Sequence, residues 1–270
     1  IDDVNSILNS LDIEIVSVDG ETAIVSVPTY RVDVTREADL IEEVLRIYGF
    51  NNVPLPEKLN SSIGVFNKPD LEKVQSVISE MLVGKGFVEV LNNSLTSSVY
   101  AEKLGGEAFA SKHNVSMLNP LSQELDVMRQ SLLFHLLEVV QHNQNRQHAD
   151  LKLFEFGKTY HDYSGNRDES KHLALFVSGN RTIENWNVSV NQSDFFYLKG
   201  IISSVLQRLG ISRFKESAVK NDYYSEGISL GLGKVNLVDF GLIKKPILKH
   251  FDISQPVLFA DFNWDNILKV

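Results

Sequence analysis

Four of the carboxylates between residues 33 and 43 are placed to act together: Asp33, Asp39, Glu42 and Glu43. The last three are spaced i, i+3 and i+4, so a helix carries them on one face, with Asp33 just ahead of it. Carboxylate oxygens are the donors a hard cation such as Mg2+ accepts, one or two at a time with waters. A plainer reading competes: the positive end of the helix dipole offsets the like charges, and Asp33 acts as the N-cap. Spacing alone favours that plainer reading.

Other chemistry is sparse. Gly231-Leu232-Gly233-Lys234 lacks the four-residue spacer and the Ser/Thr of a phosphate loop, and reads as a hairpin turn. No pair among the seven histidines has metal-ligand spacing, and His135, His142 and His148 read as surface or interface residues around one helix. No serine sits in a G-x-S-x-G context, so a hydrolase has no support. Without cysteine there is neither a disulfide framework nor a Cys-based zinc site, and the cytoplasm is the expected compartment.

Charge narrows the partners. Residues 1–60 hold 12 acidic against 4 basic side chains, most of the chain's net −9. Arg31, Arg36 and Arg46 invite a nucleic-acid reading, but so acidic a segment is a poor surface for phosphates. No apolar run approaches the roughly 18–20 residues of a membrane span, and no signal peptide opens the chain. Ile1 and Val270 both fall inside helical patterns, so both edges read as cut from a longer chain.

The elements that must position these residues follow from periodicity. Val4, Ile7, Leu8 and Leu11 form a helical stripe. Ile13–Val18 and Thr22–Val27 flank Asp19-Gly20-Glu21, a hairpin signal. Leu40, Ile41, Val44, Leu45 and Tyr48 form the stripe expected to be buried on a helix from about Thr35 to Tyr48, with Gly49 where a C-terminal cap belongs. Helix, hairpin and helix make a small α+β, winged-helix-like domain over residues 1–59. Prolines and asparagines between Asn51 and Asp70 read as a linker, with the boundary near residue 60.

Residues 60–270 form the second domain. Helices are expected from Asp70 (a candidate N-cap) to Val83, over Leu125–Asn143 and over Asp194–Leu209. Strands are expected at Phe87–Leu95, Leu151–His161, His172–Gly179, Ile228–Leu232, Val235–Ile243 and Val257–Phe262. An antiparallel sheet flanked by helices accommodates them.

Two segments carry a family resemblance. Val27-Pro28-Thr29-Tyr30-Arg31-Val32-Asp33 continues through Asp39-Leu40-Ile41-Glu42-Glu43-Val44-Leu45-Arg46-Ile47-Tyr48-Gly49. Later come Asn119-Pro120-Leu121-Ser122, Met128-Arg129-Gln130-Ser131-Leu132-Leu133, Asn143, Arg146 and Leu153-Phe154-Glu155-Phe156-Gly157. In this order they resemble the β subunit of bacterial-type phenylalanyl-tRNA synthetases. The resemblance implies a class II synthetase-like antiparallel core without chemistry, because Leu153-Phe154-Glu155 has no arginine directly ahead of Glu155 and none follows Gly231–Lys234 to clamp ATP phosphates. It implies a catalytic α subunit as partner in an α2β2 assembly, tRNA bound by the full complex, and a Mg2+ shared with α at Asp33, Asp39, Glu42 and Glu43. It also places the Asp70–Val83 helix at the α-facing surface. The alternative of another class is a helix-turn-helix regulator with a ligand-sensing domain.

Overall fold

The computed structural model describes residues 2–270 except 21, 56–57, 59–69, 121, 123, 183–184 and 220. The chain divides into two compact units, Ile1–Asn67 and Lys68–Val270. The boundary expected near residue 60, and most of the linker, lie outside the described residues.

The first unit has the expected order: α1 (Asp2–Ser10), β1 (Glu14–Asp19), β2 (Thr22–Ser26) and α2 (Glu37–Tyr48). Asp19 pairs with Thr22 across the hairpin, and Gly20 takes the φ of +59° that this turn requires. Ile7, Leu8, Ile13 and Val34 form its buried apolar residues. The stripe on α2 is less covered than expected: Ile41 and Tyr48 are exposed, and Leu40, Val44 and Leu45 are half-buried. A two-stranded hairpin and a nine-residue helix offer too little surface to bury it.

The second unit opens with α3 (Leu71–Gly84), capped as expected by Asp70, whose Oδ1 accepts from the Glu72 and Lys73 backbone N–H groups. Then come β3 (Val88–Glu89), β4 (Leu95–Thr96), α4 (Ser98–Leu104), β5 (Val115–Ser116), β6 (Val127–Met128) and α5 (Leu133–Gln144). The order continues with β7 (Leu151–Tyr163), β8 (Asn166–Ser178), α6 (Phe195–Arg208), β9 (Lys215–Ala218), β10 (Tyr224–Leu232), β11 (Val235–Ile243), α7 (Lys245–His250), β12 (Val257–Asn263) and α8 (Trp264–Ile267). Seven strands form one sheet in the order β3-β7-β8-β12-β11-β10-β9, and β4-β6-β5 form a small second sheet. The large sheet is mixed rather than purely antiparallel, because β3 runs parallel to β7.

Two expected elements are shorter than their patterns. The strand Phe87–Leu95 is reduced to β3 and β4, which belong to different sheets; between them the Asn92 N–H bonds the Glu155 side chain instead of a ladder. The helix expected from Leu125 starts at Leu133. Upstream, the Arg129 N–H donates to Ser94 O and its carbonyl accepts from Tyr160 N, so long-range partners hold that backbone extended.

The large sheet is covered on both faces. Phe154, Leu175 and Phe262 pack with Ile78 and Leu82 of α3 and Ile202 and Leu206 of α6. Their neighbours Leu153, Phe176 and Phe259 pack with Leu136 and Val140 of α5 and Leu248 of α7. This is the two-residue alternation of a strand, with apolar side chains at both phases.

Candidate functional site

The acidic helix α2 begins at Glu37, with Arg36 as N-cap. Asp33 is therefore not the cap. Asp39, in the first turn, takes that task from inside: its Oδ2 accepts from the Thr35 and Arg36 backbone N–H groups at 3.0 and 2.8 Å. The Arg36 guanidinium reaches Asp39 Oδ1 at 3.0 Å. That guanidinium, then the two N–H donors, hold the Asp39 carboxyl well below the usual carboxylate range.

Glu43 is enclosed by two arginines, Arg46 at 2.6 Å and Arg31 at 2.7 Å, and both lower its pKa. Arg31 also lies 3.9 Å from the exposed Asp33, and Glu42 is exposed on the helix. The oxygen chemistry suits a hard cation, but the arrangement does not. Among the described residues no three His, Asp or Glu side chains group to hold a metal ion, and guanidinium charge already neutralises Asp39 and Glu43.

The second unit holds a polar assembly that spacing did not reveal. Arg129, at the end of β6, and Glu155, on β7, form an ion pair of 2.7 Å in which both side chains are almost fully buried. Arg129 Nε also donates to Lys158 O, and its Nη1 to Asn93 O. Asn92 Nδ2 donates to Glu155 Oε2 at 2.7 Å. Pairing and further hydrogen bonds together are what a buried charge requires. Gly157 makes room: a Cβ there would overlap Arg129 Nη2 and lie 2.7 Å from Leu132 Cδ2. A glycine within a long strand, and a glutamate between Phe154 and Phe156, were the sequence signals available.

The histidines divide. His142 and His148 are exposed, as expected, but His135 is buried on α5. Burial, assisted by the Arg129 charge, lowers its pKa to about 4, so its ring is neutral. His172 bonds Asp261 at 2.7 Å; burial lowers its pKa, but the Asp261 charge and hydrogen bond outweigh that and leave it raised. The Gly233-Lys234 turn is a hairpin end, with Leu232 paired to Val235.

On α3, Ile78 and Leu82 are buried in the core, and Val74 and Met81 pack partly against it. Val77 is half-buried, whereas Leu71 is 49% and Val83 56% exposed. Most of the apolar side chains of α3 therefore serve the helix's own unit, and Leu71 and Val83 near its two ends remain open.

Comparison with known proteins matches residues 1–50 to the tRNA synthetase B5 domain and residues 55–264 to the phenylalanyl-tRNA synthetase beta chain CLM domain. The chain belongs to the phenylalanyl-tRNA synthetase β chain family. Over its whole length it is 40% identical to the phenylalanine–tRNA ligase beta subunit of Bacteroides thetaiotaomicron. Over 98% of its length it is 39% identical to the beta subunit of Porphyromonas gingivalis. The chain spans 34% of the length of each of these relatives. The fold of this β-chain member is shared with pyrrolysyl-tRNA synthetase from Desulfitobacterium hafniense: TM-score 0.58 and 16% identity over 74% of this chain and 69% of that one. These comparisons give no support to the helix-turn-helix regulator. No helix among the described residues is long and apolar enough to cross a membrane.

Proposed function

We propose that this chain is a non-catalytic scaffold of the β subunit of a cytoplasmic phenylalanine–tRNA ligase, the enzyme that joins phenylalanine to tRNA with ATP cleaved to AMP and pyrophosphate. Its partner is the catalytic α subunit in an α2β2 assembly, and tRNA is bound by the full complex. The observation that carries this reading is the match to β subunits over the whole chain, with the B5 and CLM regions in the same order. The non-catalytic part is supported by the sheet itself: Tyr223, Tyr224 and Phe259 fill one face and Phe154 and Phe240 the other. Domains over 1–59 and 60–270 belong to the same reading. The winged-helix-like form of the first rests on its helix–hairpin–helix order, and the class II synthetase-like form of the second on the pyrrolysyl-tRNA synthetase likeness.

Co-expression with a bacterial phenylalanyl-tRNA synthetase α subunit tests the scaffold. A stable complex by size-exclusion chromatography is expected, and no phenylalanine-dependent pyrophosphate exchange from the chain alone. Turnover by the pure chain, or failure to assemble, overturns the reading. The open ends of α3 are the proposed contact, because exposed apolar side chains at a subunit boundary are buried by the partner. Val83→Glu or Leu71→Glu should leave the chain folded and block the complex; unchanged affinity removes α3 from the interface.

The Mg2+ shared with α belongs to the same proposal, with Asp33, Asp39, Glu42 and Glu43 as its oxygen donors. It is supported by that donor set and opposed by the arginines that hold Asp39 and Glu43. Mg2+ titration of the chain alone is therefore expected to show weak binding or none. Binding in the complex that survives Glu43→Gln excludes these residues.

A further inference from the structure

A cavity of about 420 Å³ lies among Thr96 of β4, Ser97, Val99 and Tyr100 at the start of α4, Glu124, Leu125, and His135 and Glu138 of α5. Two of its walls are buried polar side chains: Thr96 is 6% and His135 7% exposed. Thr96 Oγ1 and His135 Nδ1 have no hydrogen-bond partner. An unpaired buried polar atom is costly, so two at one cavity mark a place where a ligand would satisfy them. The volume lies within the roughly 300–1,000 Å³ of small-molecule sites.

The charge on these walls selects the ligand. Glu138 is half-buried, and the Tyr100 hydroxyl donates to its Oε1. Burial, with Glu124 adding its repulsion, raises the Glu138 pKa. Among the described residues no lysine or arginine lines the cavity, and the His135 ring is neutral. The walls thus offer acceptors and negative charge without a countercharge. A bare metal ion is too small, because among the described residues Glu124, His135 and Glu138 do not group closely enough to ligate one. The complement is a larger cation carrying several N–H donors.

We propose that this cavity binds a primary alkylammonium group, held by the Glu138 and Glu124 carboxylates with Thr96 Oγ1 and His135 as neutral acceptors. A free small amine and a lysine side chain of the partner subunit share this chemistry.

The test titrates butylammonium chloride into the isotopically labelled full chain at constant ionic strength, with the His135 ring followed by NMR. A saturable shift is expected, weakened about tenfold or more in Glu138→Gln, since a charge-assisted hydrogen bond is lost. Tetramethylammonium, which has no N–H, should bind at least about tenfold more weakly. If Glu138→Gln fails to fold by circular dichroism, Glu124→Gln, at an exposed position, takes its place and should also weaken binding. No saturable shift, an unchanged affinity in the folded variant, or displacement by equimolar MgCl2 overturns the proposal. Repeating the titration with the α subunit bound separates the sources: loss of the shift assigns the site to a partner lysine, and persistence to a free amine.

Discussion

Helix α2 and strand β7 both set arginine against carboxylate, and the two arrangements have opposite consequences. On α2, Asp39 and Glu43 meet arginines three residues away on the same surface, and the Arg36 and Arg46 side chains are largely exposed. Water already solvates these two guanidiniums, and Glu43 has Arg31 as a second partner, so neither pair depends on a single buried charge. On β7, Glu155 is fully buried and its partner Arg129 comes from the extended segment just after β6, 26 residues earlier. There the pair need not exceed an apolar substitute in stability, but neither member tolerates the loss of the other. Position in the fold, not the identity of the pair, decides its weight.

The largest expected effect tests this directly. Arg129→Met should destabilise the chain by about 3–5 kcal/mol in urea denaturation, because Glu155 is left buried and unpaired. Pairing that change with Glu155→Leu should recover much of the loss. A single variant costing under about 1 kcal/mol would erase the contrast with α2.

The same burial argument covers a neutral group. His135 has a folded pKa of about 4, below its ordinary 6.5, so the unfolded chain takes up its proton first. Its contribution is fully present above pH 6.5 and is lost as pH falls toward 4, up to about 3 kcal/mol. His135→Phe should flatten the pH dependence of the denaturation midpoint in that window. An unchanged slope would show that the ring is protonated in the folded state.

A smaller effect sharpens the packing around Arg129. Gly157→Ala should cost about 1–3 kcal/mol, since the new methyl meets a guanidinium fixed by its own hydrogen bonds and the Leu132 side chain. Gly233→Ala serves as the contrast: its Cβ meets nothing, so any loss there comes from the positive φ of the turn alone.

Smallest of all is the surface. Arg46→Ala should leave the urea midpoint within measurement scatter at 0.15 M salt, because the Arg46 side chain is exposed and Glu43 keeps Arg31 as its partner. A shift as large as that of Arg129→Met would mean that the α2 pairs are structural, and the comparison would fail.

The local architecture of this β-chain member is legible in its amino-acid sequence. Hairpins announced themselves through Asp19-Gly20 and Gly233-Lys234, where only a few residue types take the turn. The Asp70 cap, the stripe of α1 and the extents of α3 and α6 were readable along the chain, as was the order of family segments that points to the chain's relatives. Tertiary structure alone decided the rest. It delayed the start of α5 to Leu133 by giving the Arg129 backbone long-range partners, joined β3 to β7 in parallel, and buried His135 where the sequence reading left it on the surface. It also joined Arg129 to Glu155 across 26 residues. Turns, caps and stripes are local interactions, fixed within a few residues of chain; burial and ion pairing depend on which distant strand arrives alongside, and no residue encodes that in its own neighbourhood.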